Sequence, residues 1–135
     1  MNTIKDKSPD KFNYSKMDDI SAIVINVNLE KADLEYASLF RDYIIDKLNY
    51  ECENFIIDFT DTSYLDTTFL GSIILIYRKI IENSKSLKVV IDSSKLSLLS
   101  VVSNFGKYLK VFPSLDDAVQ SCMVSQQNKQ AMIFW

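Results

Sequence analysis

Four short segments of the chain are rich in Ile, Val and Phe, and their pattern is typical of strands in a sheet. They cover residues 20–28, 54–60, 86–93 and 108–113. Short apolar runs with many β-branched and aromatic side chains favour strands over helices. Residues 11–14 alternate apolar and polar side chains, which predicts a further short edge strand with its turn at residues 15–19.

Between these segments, the apolar positions recur at the spacing of an amphipathic helix. Residues 29–50 form the longest such stretch, and Asp33 is placed to cap the helix. The side chains expected on its inward face are Leu34, Ala37, Phe40, Ile44, Ile45 and Leu48. Two later helices are predicted at residues 93–106 and 114–123, the second of them capped by Ser114.

The predicted elements alternate along most of the chain, in the order β-β-α-β-α-β-α-β-α. Such alternation implies right-handed crossovers, so we predict a largely parallel sheet. One α/β domain is expected over residues 11–124, after a flexible lead-in at residues 1–10. Residues 125–135 predict a C-terminal tail whose apolar end, Met132–Trp135, is either loose or docked on the domain or on a partner.

Three polar residues, Asp66, Thr67 and Thr68, stand where the chain enters a helix after the second of the four strands. Ligand and partner sites of open α/β sheets gather in such strand-to-helix loops. The first turn of a helix has unpaired N–H groups and a partial positive charge. Asp66 suits the cap position, and a phosphate on the next residue would meet those N–H groups or present its charge to a partner. The alternative is that the three residues only cap the helix.

The helix that follows, residues 69–81, is apolar around much of its circumference, which is wider than a one-sided surface helix requires. Its apolar side chains are at positions 69, 70, 73, 74, 75, 76, 77, 80 and 81. In one interpretation, one stripe covers the sheet while another, formed by Phe69, Ser72 and Ile76, stays available to a partner. In the other, the helix is deeply buried.

The composition excludes several classes of function. The chain has no histidine, which excludes Ser-His-Asp and Cys-His catalysis and histidine metal sites. Its two glycines can build neither a Walker loop nor a dinucleotide fingerprint. We therefore predict a protein that is not an enzyme and needs no metal or cofactor. An acid/base or Mg²⁺ site built from Asp58, Asp61 and Asp66 is the less favoured alternative.

Charge and hydropathy restrict the partners and the compartment. The formal net charge is −3 and there is no block of Lys and Arg, which argues against nucleic-acid binding. The N-terminus lacks the apolar region of a secretory signal, and the longest apolar run, residues 69–77, is too short to span a bilayer. We predict a cytoplasmic protein without membrane insertion, in which Cys52 and Cys122 are free thiols.

The element order and the motif DTTFLG at residues 66–71 resemble the STAS domain, the fold shared by bacterial anti-sigma factor antagonists and the cytoplasmic ends of sulfate transporters. The family pattern has an apolar strand ending in Asp, then Asp-Ser-Ser-Gly-Leu-Gly at a helix start, and a last helix opening Ser-x-x-x-Ala. Here Asp58 ends the strand and residues 114–118, SLDDA, open the last helix. The resemblance covers about residues 20–124. It implies a small mixed, mostly parallel sheet with about four helices packed mainly on one face.

The resemblance also implies a switch. In the family, the hydroxyl residue directly after the Asp is phosphorylated by an anti-sigma factor that is a serine-threonine kinase. The unphosphorylated form binds that kinase and frees the sigma factor, and phosphorylation ends the binding. By position the acceptor is Thr67, with Thr68 as a second candidate. Asp66 would cap the helix and orient the hydroxyl, while Asp58 and Asp61 would support the loop.

The expected docking face includes Phe69 and Ser72 beside the two threonines. Phe69 replaces the first glycine of the family pattern, which would otherwise allow close approach of a partner's backbone. ATP and Mg²⁺ would belong to the kinase, and a homodimer is left open. The alternative function is a constitutive STAS subunit that regulates or scaffolds a transporter, including the ABC lipid-transport type, or a signalling complex, without phosphorylation.

Overall fold

The computed structural model describes residues 11–96 and 109–133 and contains a main sheet of five strands and a second sheet of two. The strands are β1 (Phe12–Met17), β2 (Ala22–Val27), β3 (Lys31–Ala32), β4 (Asn54–Asp58), β5 (Tyr64–Leu65), β6 (Ser86–Val90) and β7 (Lys110–Phe112). The main sheet has the order β1-β2-β4-β6-β7. Only its β1–β2 pair is antiparallel, which confirms the predicted mixed and mostly parallel sheet.

The described residues form three α-helices, α1 (Leu34–Lys47), α2 (Thr67–Glu82) and α3 (Leu115–Ile133). The helix predicted at residues 93–106 falls mostly on residues 97–108, which lie outside the described residues. The lead-in at residues 1–10 and the last two residues of the tail also lie outside them. Residues 125–133, predicted as part of a tail, continue α3 as helix, because their sequence contains no glycine or proline that would end it.

Side chains of the main sheet alternate between two faces. The face covered by α1 and α2, here called the major face, includes Ile23, Ile25, Phe55, Ile57, Leu87 and Val89. The opposite face, here called the minor face, is covered by α3 and includes Ala22, Val24, Ile56 and Val90. Two of the three described helices therefore share one face, as the predicted fold requires.

The buried layer of the major face is almost entirely apolar and rich in aromatic rings. Ala37, Phe40 and Ile44 of α1 are buried against it, as the helical spacing predicts. The prediction for Leu34 was wrong, since its side chain is 70% exposed. Leu34 is the first residue of α1, and helical spacing alone does not show whether the end of a helix is covered by the rest of the fold. Asp33 caps α1 as predicted, because its Oδ1 accepts a hydrogen bond of 3.1 Å from the Glu35 amide.

The minor face is smaller and contains polar groups. Lys88 of β6 is buried, and its Nζ donates to Ser86 Oγ at 3.3 Å and Asn54 Oδ1 at 3.5 Å. Among the described residues, Lys88 has no carboxylate partner. Burial lowers the pKa of Lys88, and burial raises the pKa of the neighbouring Cys122 thiol on α3. Cys122 and Cys52 are free thiols, as predicted.

The edge of the sheet differs from its prediction. The turn expected at residues 15–19 was wrong, because β1 continues to Met17. The chain instead reverses through a 3₁₀ turn at Asp18–Ile20 and through Ser21, which has a φ of 51°. Alternation in the sequence stops after Tyr14, but pairing with the full length of β2 keeps the strand extended.

Lysine and tyrosine side chains join β1 to the end of α1. Lys47 is buried, and its Nζ lies 4.2 Å from the ring centroid of Tyr43 and 4.9 Å from that of Tyr14. Tyr14 and Tyr50 share a hydrogen bond of 3.2 Å between their hydroxyl groups. Burial raises the pKa of Tyr43. These cation–π contacts explain how an exposed edge strand is held against the helix layer.

Candidate functional site

The loop between β4 and α2 is tied to the segment that precedes α1. The Ser63 amide donates to the Glu30 carbonyl at 2.8 Å, and the buried Thr62 hydroxyl donates to the Leu29 carbonyl at 2.7 Å. The two-residue strands β3 and β5 pair in parallel next to these bonds. Hydrogen bonds therefore hold the segment that leads into α2 against the segment that leads into α1, and they fix the start of α2.

Asp66 caps α2, as predicted. Its Oδ1 accepts a hydrogen bond of 2.9 Å from the Phe69 amide, and its backbone is extended, as an N-cap residue requires. Its other oxygen, Oδ2, accepts a hydrogen bond of 2.9 Å from the Leu34 amide at the start of α1. One carboxylate thus binds the first turns of two helices. No local signal in the sequence could have predicted the second contact, because Leu34 lies 32 residues away.

Thr67 and Thr68 are the first two residues of α2, and both are exposed. Because they lie in the first turn of the helix, their amides belong to the N–H groups that have no intrahelical acceptor. The capping oxygen of Asp66 binds the Phe69 amide, not those of the two threonines. The threonine hydroxyls therefore stand at a solvent-facing helix start with a partial positive charge.

The predicted stripe of Phe69, Ser72 and Ile76 was assigned to the wrong side of α2. All three side chains are buried, so Phe69 and Ser72 cannot form part of a docking face. The Phe69 ring stacks on Phe40 with 4.6 Å between centroids and meets the edge of Phe59 at 6.1 Å. The physical reason is that these rings fill the space between α1, α2 and the sheet.

The exposed side of α2 carries a different apolar stripe. Ile74 and Leu75 are 37% and 44% exposed, and Ile81 is 47% exposed. Gly71 lies between these residues and the threonines, and a Cβ at this position would meet no atom within 4 Å. Together with Thr67 and Thr68, these residues form a surface here called the outer face of α2. The interpretation of a helix with two apolar stripes fits this arrangement, but with other residues than those predicted.

Asp58 and Asp61 do not join Asp66 in one site. The Asp58 carboxylate accepts hydrogen bonds from the amide and the hydroxyl of Thr60 in its own loop. Asp61 is exposed in the following turn, and both oxygens of Asp66 are bound to amides. Across residues 11–96 and 109–133, no group of three or more His, Cys, Asp or Glu side chains could hold a metal ion. In the same part of the chain, no helix combines the length and apolarity needed to cross a membrane.

Comparison with known protein families identifies the fold. Residues 14–118 match the sequence model of the STAS domain. The chain belongs to the STAS domain family. No curated protein matches the chain significantly. The family match begins within β1 and ends in the first turn of α3, so it includes most of β1, all of β2, β4, β6 and β7, and the Asp66–Thr68 helix start.

Solved structures share this STAS fold. A candidate anti-sigma factor antagonist from Thermotoga maritima has a TM-score of 0.71 at 21% identity, covering 83% of this chain and 94% of that protein. The Bacillus cell fate determinant SpoIIAA in its phosphorylated form has a TM-score of 0.60 at 16% identity, covering 82% and 97%. The murine anion transporter Slc26a9 has a TM-score of 0.63 at 16% identity, covering 77% of this chain and 18% of the transporter.

The position of Phe69 in this STAS domain removes an apparent obstacle at the helix start. Phe69 stands where the family pattern has its first glycine, and a large side chain pointing outward would keep a partner away from Thr67. Its ring is instead fully buried between Phe40 and Phe59. The Phe69 ring therefore does not cover the two threonines, and Gly71, one turn further along α2, has no side chain that would do so.

Proposed function

We propose that this STAS domain is a phosphorylation-controlled binding protein of the anti-sigma factor antagonist type, with Thr67 as the phosphate acceptor. Its partner is an anti-sigma factor with serine-threonine kinase activity, which it binds in the cytoplasm while Thr67 carries a free hydroxyl. The observation that carries the proposal is the exposure of Thr67 directly after the N-cap Asp66, on a helix start that the buried Phe69 leaves accessible.

The proposed chemistry belongs to the kinase. The γ-phosphoryl group of ATP passes to Thr67 Oγ1, the bond between the β- and γ-phosphates breaks, ADP leaves, and the hydroxyl proton is released. The STAS domain itself supplies no cofactor. The new group adds a charge of about −1.5 to −2 to a surface that had presented a neutral hydroxyl. Like charge on the partner and the cost of burying the phosphate then oppose binding.

Thr68 and Asp66 have distinct roles in this proposal. Asp66 fixes the direction in which α2 starts, and therefore where Thr67 stands relative to the partner. Thr68 is a contact residue beside the acceptor, and a phosphate on Thr68 instead would mean that the assignment of Thr67 is wrong. The outer face of α2, with Gly71, Ile74 and Leu75, supplies the apolar contact area, because these residues are exposed next to the threonines.

The direct test is phosphorylation by the anti-sigma kinase encoded nearest the gene, with ATP and Mg²⁺. Intact mass should show one phosphate on the wild-type protein and on Thr67→Ser, which keeps a hydroxyl. Thr67→Ala should gain none, and Thr68→Ala should behave like the wild type. A phosphate on Thr67→Ala, or none on the wild-type protein, would overturn the assignment of Thr67.

A second function is supported by the apolar outer face of α2, which does not depend on a phosphate. In that function, the domain is a constitutive subunit of a transporter, and Ile74 and Leu75 form the contact. The transporter Slc26a9 contains the same fold. Binding measured by calorimetry separates the two: Thr67→Glu should abolish binding to the kinase in the switch, whereas binding to a permease encoded nearby should survive Thr67→Glu and be lost in Ile74→Ser/Leu75→Ser.

A further inference from the structure

Asp66 is shared between two helices that are distant in sequence. Its Oδ1 accepts from the Phe69 amide of α2 and its Oδ2 accepts from the Leu34 amide of α1, both at 2.9 Å. Capping of α2 alone needs only the first of these bonds. The second bond places the start of α1 beside Thr67, which directly follows Asp66 in the chain.

Backbone bonds keep Asp66 close to α1 without the help of its carboxylate. The Asp66 amide donates to the Ala32 carbonyl at 3.1 Å, and β3 pairs with β5 through Lys31–Tyr64 and Ala32–Leu65. The bond between the carboxylate and the Leu34 amide can therefore break while the two segments stay together. The start of α1 then loses its contact with α2 without unfolding of the domain.

We infer that the Asp66 carboxylate transmits the chemical state of Thr67 from the start of α2 to the start of α1. The inference rests on the proposed phosphorylation of Thr67 and concerns how that site is regulated. A negative group on Thr67 lies next to the Asp66 carboxylate, and like charges at this distance repel. The same group also competes for the amides of the first turn of α2. The repulsion acts on the whole carboxylate, and competition for the Phe69 amide removes the bond that orients it, so the hydrogen bond between Asp66 and Leu34 is weakened.

The consequence is a switch surface that spans two helices. The Leu34 side chain is 70% exposed and Tyr64, two residues before Asp66, is 51% exposed. With a free hydroxyl on Thr67, Asp66 holds Leu34 in a fixed position beside the threonine. With a phosphate there, the first turn of α1 is released, so a partner meets both a new charge and a displaced apolar side chain.

Hydrogen exchange of the Leu34 amide, measured by NMR, tests this inference without any partner. Leu34 is far from Thr67 in sequence, so a substitution at Thr67 does not change the intrinsic exchange rate of this amide. Thr67→Glu is compared with Thr67→Gln, which has nearly the same shape but no charge. We expect exchange of the Leu34 amide to be about tenfold faster in Thr67→Glu than in Thr67→Gln, since repulsion between two nearby charges on a protein surface is on the order of the 1.4 kcal/mol that corresponds to a factor of ten. Asp66→Ala, which has no side-chain acceptor for the Leu34 amide, gives the rate for the broken bond.

Equal rates of Leu34 exchange in Thr67→Glu and Thr67→Gln would overturn the inference. Failure of the proposed function gives a different pattern. If Leu34 exchange accelerates in Thr67→Glu but the kinase neither binds nor phosphorylates the protein, the coupling through Asp66 stands and the proposed function fails. If the kinase phosphorylates Thr67 and binding is lost while Leu34 exchange is unchanged, the proposed function stands and the coupling fails.

Discussion

The two faces of the main sheet are built on different principles. The major face is an apolar layer in which Phe40, Phe59 and Phe69 contact one another between two helices and the sheet. The minor face has a single described helix, and its buried layer includes the amine of Lys88 and the thiol of Cys122. The candidate site is at the end of the major face, where α1 and α2 begin.

This difference indicates where the domain can tolerate change. A densely packed apolar layer holds its side chains in one arrangement, so the start of α2 is positioned by a rigid support. A buried amine without a carboxylate partner costs stability, so the minor face is the less stable attachment. The site is thus placed on the layer that packing fixes, whereas the buried pair of Lys88 and Cys122 lies on the other face.

The largest effect on stability is expected from substitutions at two neighbouring residues of β4. Ile56 and Ile57 are both fully buried, but the Ile57 side chain belongs to the major face and the Ile56 side chain belongs to the minor face. We expect Ile57→Ala to lower the free energy of unfolding by about 4 kcal/mol and Ile56→Ala by about 2 to 3 kcal/mol, since the smaller layer can collapse more easily onto the cavity. Urea unfolding measures both. Equal losses would show that the two layers are packed equally well.

A smaller effect is expected from removing a helix cap. The Asp66 carboxylate accepts from the amides of Phe69 and Leu34, whereas the Ser114 hydroxyl, among the described residues, accepts from the Asp117 amide of α3 at 3.2 Å. Asp66→Ala should therefore cost about 2 kcal/mol and Ser114→Ala about 1 kcal/mol in thermal or urea unfolding. Asp61→Ala, an exposed loop change, is the control. A loss for Ser114→Ala as large as that for Asp66→Ala would contradict the double role of Asp66.

The smallest effect is a dependence of stability on pH that comes from the minor face. The pKa of Lys88 is lowered by burial in the folded state, so between that pKa and its usual value of 10.5 the unfolded state binds more protons. Stability from this group therefore rises with pH in that range, by at most about 1.4 kcal/mol per pH unit. Lys88→Met, which keeps the length of the side chain, should remove this rise.

The measurement is urea unfolding of the wild-type protein and Lys88→Met at several pH values below 9.5, before most tyrosines titrate. The difference between the two proteins isolates Lys88 and its coupling to Cys122. Lys88→Met should be the more stable of the two at neutral pH, with the gap closing as pH rises. A gap that stays constant would mean that Lys88 is charged in the folded state.

The order and type of the main elements could be predicted from the sequence because strands and helices have different apolar periods. The strand segments at 20–28, 54–60 and 86–93 contain β2, β4 and β6, and Asp33, Asp66 and Ser114 are helix caps as expected. Capping depends on atoms only a few residues apart. The full length of β1 and the two-residue strands β3 and β5 had no such local signal, because they depend on a pairing partner.

The side of α2 that faces the core was decided by the tertiary structure alone. The helix is apolar around most of its circumference, so periodicity could not distinguish the stripe of Phe69 and Ile76 from that of Ile74 and Leu75. Three phenylalanine rings from separate elements fill the major face together, and this packing turns Phe69 inward. The sequence by itself determined the STAS fold and the polar start of α2. Only the packing of distant segments left Thr67 accessible and added the bond from Leu34 to the bond that Asp66 already accepts from Phe69. Accessibility and the added bond both depend on residues that are far apart in the sequence.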